Sequence, residues 1–198
     1  GNIQNNTFLG KATGYNTTTG KSNSFVGSNS GYSNGDGSSN SFFGDLAGYS
    51  NTTANQNSFF GANAGYLTTT GGNNSFFGMD SGVVNVSGRD NSFFGKEAGA
   101  DNVSGIGNTF VGMSAGDRSV GGYRNVAIGL EAGSVTVGFA SNASSTDSIF
   151  LGYDSRALTS GGSNEIVIGA SAEGNGSNSV TLGNDSITKT ILKGFVGI

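Results

Sequence analysis

The chain has 198 residues, of which 37 are glycine, and it contains no proline, cysteine, histidine or tryptophan. Charged residues make up 11% of the sequence, the net charge is −4, and the nine lysines and arginines are scattered, so no nucleic-acid-binding surface is expected. The lack of cysteine and histidine excludes disulfides and Ser-His-Asp or Cys-His catalysis, and we expect no metal site and no cofactor. No run of 18 apolar residues is present, so we expect no membrane insertion.

Residues 1–129 are built on a 17-residue repeat. The motif Asn-Ser/Thr-Phe-Phe/Val/Leu-Gly begins at Asn6 and recurs in seven equal steps, ending with the variant Asn-Val-Ala-Ile-Gly at 125–129. A second glycine follows each closing glycine after four residues. This period is too short for helix-pair repeats, and a flexible Gly/Ser linker has no reason to keep it. Each repeat is therefore predicted to form one coil of a parallel β-solenoid, or β-roll.

Residues 130–183 contain looser copies of the same motif. Their closing glycines, Gly152, Gly169 and Gly183, follow after steps of 23, 17 and 14 residues, so the coil at 130–152 is enlarged. We expect an all-β rod of about eleven coils, roughly 50 Å long at about 4.8 Å per coil. Residues 184–198 are expected to be an exit segment towards a following tip or chaperone domain. Because Gly1 falls inside a repeat, the chain is expected to be part of a longer fibre.

Each motif places two apolar residues side by side, and neighbouring residues of a strand point to opposite faces. Two apolar columns on one strand indicate that both faces are buried, one inside the coil and one against other copies of the chain. The sequence does not decide which column is which. The column two residues before the closing glycine contains Phe8, Phe25, Phe42, Phe59, Phe76, Phe93, Phe110 and Phe150. The column next to that glycine contains Phe43, Phe60, Phe77, Phe94, Ile128, Leu151, Ile168 and Leu182.

The asparagine that opens each motif also forms a column. Stacked coils place Asn6, Asn23 and their equivalents up to Asn125 above one another. Asparagine side chains in such a ladder hydrogen-bond along the rod and to the backbone of turns. A structural role is therefore predicted for this column.

The later repeats resemble the head repeats of trimeric autotransporter adhesins, whose signature is similar to Asn-Ser-Val-Ala-Ile-Gly. The segments that carry this resemblance are "RNVAIGLEAG" (124–133), "NEIVIGASAEG" (164–174) and "NSVTLGNDS" (178–186). The "NSFFG…AG" copies resemble a longer variant found in phage-type tail fibres, and "SITKTILKGFVGI" (186–198) resembles the segment before an endosialidase-type intramolecular chaperone. The resemblance implies a left-handed parallel β-roll assembled as a homotrimer, which serves in attachment to cells.

Two regions are candidates for ligand binding. The first is a column of tyrosines on four successive coils, which could either stack on sugar rings or pack at a coil corner: Tyr15, Tyr32, Tyr49 and Tyr66. The second is the enlarged coil, with Ser134, Phe139 and Asn142, because insertions in solenoids often map to a binding face. The alternative for the enlarged coil is a simple change of coil type between two repeat classes.

These features predict an extracellular, non-enzymatic segment of a trimeric fibre on a bacterial surface or virion. Its partners would be its own copies and a target-cell receptor, with a glycan as one candidate. One alternative is a passive shaft whose receptor-binding tip lies outside residues 1–198. A remoter alternative is a polysaccharide-degrading spike, which needs two carboxylates about 5–10 Å apart. Pairs on neighbouring coils that could supply them are Glu97 with Asp80 and Asp147 with Glu165.

Overall fold

The computed structural model describes residues 5–191, and they form a parallel β-solenoid of about ten turns. One sheet contains all eleven strands in chain order, every neighbouring pair is parallel, and no helix occurs within 5–191. The strands are β1 (Thr7–Leu9), β2 (Ser24–Val26), β3 (Ser41–Phe43), β4 (Ser58–Phe60), β5 (Ser75–Phe77), β6 (Ser92–Phe94), β7 (Thr109–Val111), β8 (Val126–Ile128), β9 (Ile149–Leu151), β10 (Glu165–Ile168) and β11 (Ser179–Leu182). The prediction of an all-β parallel solenoid with a repeat of about 17 residues is confirmed.

The register keeps equivalent residues of successive coils directly above one another. Phe25 pairs with Phe42, for example. The 23-residue step does not disturb this register, because Val126 still pairs with Ile149. The six extra residues therefore leave the coil and return to it, and the regular and looser repeats share one continuous sheet.

Two glycine columns make the tight corners possible. Gly44 closes its strand at φ +146°, and a Cβ atom there would lie 2.3 Å from the carbonyl oxygen of Gly61. Gly48 has φ +59°, and a Cβ atom there would lie 2.4 Å from the ring of Phe42. The first glycine lets successive coils approach, and the second makes room for a core ring.

The inner apolar column fills the coil. Phe25, Phe42, Phe59, Phe76 and Phe93 have no exposed surface, and their rings stack at centroid distances of 4.7–4.9 Å. The stack continues to Phe8 and Phe110 at its two ends, and Ala127, Phe150 and Val167 carry the column onward. The structure thus assigns the coil interior to the phenylalanine two residues before the closing glycine.

Two asparagine ladders line the rest of the interior. In the predicted ladder, Asn40 Nδ2 donates to the carbonyl of Ala54 at 2.9 Å, while its Oδ1 accepts the backbone N–H of Asn57 at 3.0 Å. The same pattern runs from Asn23 to Asn125, and these side chains are buried. The second ladder lies seven residues after the closing glycine and contains Asn34, Asn51, Asn85 and Asn102. The asparagine side chains of both ladders thus donate hydrogen bonds to carbonyl groups of the turns, which lie outside the strands.

Candidate interaction surfaces

The outer column of the sheet is an apolar stripe along the whole rod. It consists of the residue that precedes each closing glycine: Leu9, Val26, Phe43, Phe60, Phe77, Phe94, Val111, Ile128, Leu151, Ile168 and Leu182. None of these side chains is buried in the single chain, and Phe94 is 41% exposed. The rings of Phe43, Phe60, Phe77 and Phe94 stack on one another at 4.8–4.9 Å.

The size of this stripe is comparable to a protein–protein interface. A phenylalanine side chain offers about 200 Å² of surface, so the most exposed ring, Phe94 at 41%, leaves about 80 Å² in water. Four of the eleven positions are phenylalanine, and the smaller aliphatic side chains at the other seven expose comparable areas, as Leu9 does at 66%, so the column amounts to roughly 800 Å², the area that one partner contributes to a standard interface. Single exposed apolar residues need no explanation, but a continuous stripe of this size is characteristic of an interaction site.

The apolar surface widens in the C-terminal coils. From β1 to β7 the residue two positions before each outer apolar residue is serine or threonine, as in Ser58 of β4. From β8 onwards this position is apolar, as in Ile149 and Ile166, and it remains at least partly exposed. Both outward-facing columns are therefore apolar over β8–β11.

The tyrosine column forms a second aromatic ladder outside the core. The rings of Tyr15, Tyr32, Tyr49 and Tyr66 stack with centroids 5.1–5.3 Å apart and interplanar angles of 7–15°. Their faces cover one another, whereas a sugar stacks on an open ring face. Tyr15, at the N-terminal end of the ladder, is 69% exposed and has no tyrosine on its outer face. This geometry favours packing at a coil corner over a glycan groove.

The enlarged coil folds into a small hairpin whose first arm pairs with the next coil through a parallel bridge between Thr136 and Ala157. Val135 and Ser141 form an antiparallel bridge, and Thr136 N–H donates to the carbonyl of Ala140 at 2.8 Å. Phe139 lies at the tip with 66% of its surface exposed and with φ +59°, which is costly for a bulky residue. The hairpin follows the corners at Gly129 and Gly133, where φ is +131° and +63°.

Of the three candidates in this coil, only Phe139 is exposed. Ser134 is 4% exposed and its hydroxyl donates to Asp117 Oδ1. Asn142 is 2% exposed, donates to the carbonyl of Gly133, and resumes the second asparagine ladder. Both side chains are buried and paired within the fold, so the ligand-binding role of Ser134 and Asn142 stays a prediction that the geometry does not favour.

Arg156 holds the tip of the hairpin. Its guanidinium lies 4.2 Å from the ring centroid of Phe139, and Nε donates to Asp154 Oδ1 at 2.9 Å. Its Nη1 lies 3.5 Å from Glu173 Oε1, whose side chain is 54% exposed. The hydrogen bond to Asp154 raises the pKa of Arg156, which keeps the guanidinium charged. Sequence patterns gave no signal for this residue, because it lies outside the repeated motif.

The carboxylates of both candidate pairs are hydrogen-bonded to neighbouring groups of the chain. Asp147 binds Arg124 through two hydrogen bonds of 2.6 and 2.8 Å, and this pairing lowers the pKa of Asp147. Glu165 is fully buried in the asparagine column, where its Oε1 accepts N–H groups from Leu158 and Gly176. One carboxylate is therefore tied to a surface arginine and the other is out of reach of a substrate.

Both carboxylates of the other pair, Glu97 and Asp80, also accept hydrogen bonds from neighbouring side chains. Glu97 binds Lys96 at 3.0 Å and accepts a hydrogen bond from Ser114, and the lysine contact lowers the pKa of Glu97. Asp80 accepts a hydrogen bond from Asn63 at 2.9 Å. Over residues 5–191, no cluster of three or more histidine, cysteine or acidic side chains is placed to hold a metal ion. The same residues contain no helix long and apolar enough to cross a membrane.

One polar cavity of about 300 Å³ lies near the C-terminal end of the described chain. Glu173 forms part of its wall and at the same time contacts Arg156. The remaining wall consists of Ser171, Thr181, Gly183, Asn184, Asp185 and Ser186. Arg156 and Glu173 thus connect the exposed ring of Phe139 with a recess lined by hydroxyl, amide and carboxylate groups.

The fold and these surfaces define the chain as a parallel β-solenoid repeat protein with a long exposed apolar stripe. Comparison with protein-family models, with curated proteins and with solved structures gave no match.

Proposed function

We propose that the chain is a segment of an extracellular homotrimeric fibre used for attachment to target cells. The observation that carries this proposal is the apolar stripe that runs from Leu9 to Leu182 on the outer face of the sheet. A stripe that is straight, continuous and parallel to the rod axis can be covered along its whole length by identical rods around a rotation axis. The resemblance to trimeric adhesin heads supports three as the number of chains.

The cost of leaving the stripe in water supports assembly. At about 25 cal/mol per Å², the estimated 800 Å² of exposed apolar surface corresponds to about 20 kcal/mol of hydrophobic free energy per chain. Part of that gain is offset by the entropy lost on association. With that cost estimated at about 4–15 kcal/mol, covering the stripe still favours association.

An assembly test follows from the position of Phe60 and Phe77. Changing both to lysine places two charges per chain in the proposed trimer core, while their outward direction leaves the coil interior intact. The matched control is Ala62→Lys, because Ala62 is exposed and occupies a column that already contains lysine at positions 11 and 96. Analytical ultracentrifugation should show a trimer for the control and a monomer for the double variant. A double variant that remains trimeric would refute assembly along this stripe.

The second candidate is a passive shaft, and the regularity of the seven equal coils favours it. Binding of fluorescently labelled trimer to target cells separates the two functions. Attachment predicts binding that is lost when residues 5–191 are exchanged for an unrelated trimeric roll within the same fibre. Unchanged binding after this exchange would assign recognition to another part of the fibre.

A further inference from the structure

We propose that the outward face of β8–β11 is the main contact between copies of the chain, and that it packs against the same face of each neighbouring copy. This inference rests on the proposed homotrimeric fibre and assigns the part of the rod that holds its chains together. It starts from a difference along the rod, because β1–β7 have one outward apolar column and β8–β11 have two.

The outward residues of β8–β11 are all aliphatic. They are Val126 and Ile128, Ile149 and Leu151, Ile166 and Ile168, and Val180 and Leu182. None of the eight is buried in the single chain, and Val180 is 61% exposed. Because the strands pair in a constant register, these residues form two straight columns side by side along the rod.

The outward face of β1–β7 allows less apolar contact. Its first column carries serine or threonine hydroxyls, and its second column carries the stacked rings from Phe43 to Phe94. These rings are larger than the aliphatic side chains of β8–β11, so they hold two packed sheets further apart and leave the hydroxyls hydrated. The smaller side chains of β8–β11 let two sheets approach until both columns touch, and hydrophobic stabilisation grows with the area covered.

The surface next to the outer stripe changes in the same direction. The residue after the closing glycine is charged in three of the first six coils: Lys11, Asp45 and Lys96. After β7–β10 this residue is uncharged: Met113, Leu130, Tyr153 and Ala170. Charged residues are depleted at the centre of protein–protein interfaces, so this second column points to the same part of the rod.

The chemistry of the face fits another copy of the chain better than a small ligand. Strands β8, β9 and β10 are paired on both sides, so no peptide can add to them as a further strand. The eight aliphatic side chains offer no hydrogen-bonding group to orient a sugar or a nucleotide. The face continues the stripe that other copies cover in the proposed fibre, and rotation about an axis along the rod brings equal faces to the same level.

The first test compares two leucines of the outer stripe by analytical ultracentrifugation of the intact chain over a concentration series. Leu9→Ser in β1 and Leu182→Ser in β11 make the same change at opposite ends of one column. We expect Leu182→Ser to raise the concentration of half-dissociation at least about tenfold and Leu9→Ser to raise it less than about threefold. Circular dichroism verifies that both variants keep the coil. If Leu182→Ser dissociates no more readily than Leu9→Ser, the inference is overturned.

A reciprocal pair tests the additional column and leaves the stripe intact. Ile166→Thr gives β10 the residue that β7 has at this position, and Thr109→Ile extends the two-column face by one coil. Both changes keep a β-branched side chain. We expect weaker assembly for Ile166→Thr and tighter assembly for Thr109→Ile. An Ile166→Thr variant that assembles as tightly as the unmodified chain would contradict the proposed contact.

Disulfide formation identifies the occupant of the face, since the chain has no cysteine of its own. On oxidation, Val180→Cys should link two copies of the chain, and co-expressed Val180→Cys and Ser24→Cys chains should form no mixed link. An assembled chain in which Val180→Cys forms no link, or links to Ser24→Cys, refutes this contact while the fibre stands. A monomeric unmodified chain refutes the proposed fibre itself.

Discussion

Replacing Thr68 by asparagine should stabilise the protein, because Thr68 interrupts the second asparagine ladder. Thr68 lies between Asn51 and Asn85 in this column, and its buried Oγ1 has no hydrogen-bond partner. Asn51 Oδ1, which faces the same gap, also has none. Where two asparagines are adjacent, as in Asn85 and Asn102, the upper Nδ2 donates to the lower Oδ1 at 2.8 Å.

The magnitude follows from the bonds that the substitution would form. By analogy with Asn51, which donates to Asn34 Oδ1 and to the carbonyl of Ala54, a new asparagine would donate to Asn51 Oδ1 and to the carbonyl of Gly71. Each intramolecular hydrogen bond contributes about 1 kcal/mol, and an unsatisfied buried group costs about 1–3 kcal/mol. After about 1 kcal/mol for ordering the side chain, we expect a gain of about 2 kcal/mol in the free energy of unfolding.

Chemical denaturation followed by circular dichroism measures this gain, and Thr68→Val is the matched control. Valine has the shape of threonine and removes a hydroxyl that makes no hydrogen bond, so its effect should stay within about 1 kcal/mol. It leaves Asn51 Oδ1 without a partner. If Thr68→Asn is no more stable than Thr68→Val, hydrogen bonding along the ladder does not stabilise the coil, and the reasoning fails.

Three further predictions concern the core and its charges. Phe76→Ala should lower the free energy of unfolding by about 3–5 kcal/mol, because the ring is buried between two others. Phe77→Ala should instead weaken assembly. If the two variants had the same effect in denaturation and the same effect in ultracentrifugation, the assignment of one column to the coil and the other to the assembly would be contradicted. Gly48→Ala should cost about 2–5 kcal/mol from strain at φ +59° and from contact with Phe42. Gly121→Ala, where a Cβ atom would meet only Ser104 Oγ at an ordinary 3.5 Å and φ is not positive, should be nearly neutral in the same denaturation assay. Burial raises the pKa of the Asp117 carboxyl, so the stability that this group contributes is present below its unfolded pKa and is lost as the pH rises through its folded pKa. Asp117→Asn should therefore raise the free energy of unfolding at pH 7 and change it less at pH 3. A larger gain at pH 3 than at pH 7 would contradict this prediction.

The repeat period was sufficient to predict the coil, the register and the parallel sheet. Successive phenylalanines such as Phe25 and Phe42 had to stack once the chain was a solenoid, because every position recurs above itself. The period did not reveal which apolar column lies inside. That depends on the corner at Gly31, where the missing Cβ leaves room for the ring of Phe25. The turn geometry, and not the hydrophobic pattern, determines the inward column.

Parts of the interior and of the candidate site were harder to foresee. The second ladder was visible in the 17-residue spacing of Asn34, Asn51, Asn85 and Asn102, but threonine and serine replacements obscured it. The stacking of Phe139 on Arg156 could not be predicted, because it arises in an irregular hairpin that follows no period. The hypothesis of an exit segment at 184–198 can be compared with the structure only up to residue 191, since 192–198 lie outside the described residues.

The solution mass of the chain, measured by light scattering together with circular dichroism, tests the central claim most directly. Assembly through the outer stripe predicts a β-rich species of three times 19.8 kDa. A soluble β-rich monomer of 19.8 kDa would contradict the claim, because the stripe from Leu9 to Leu182 would then remain in water.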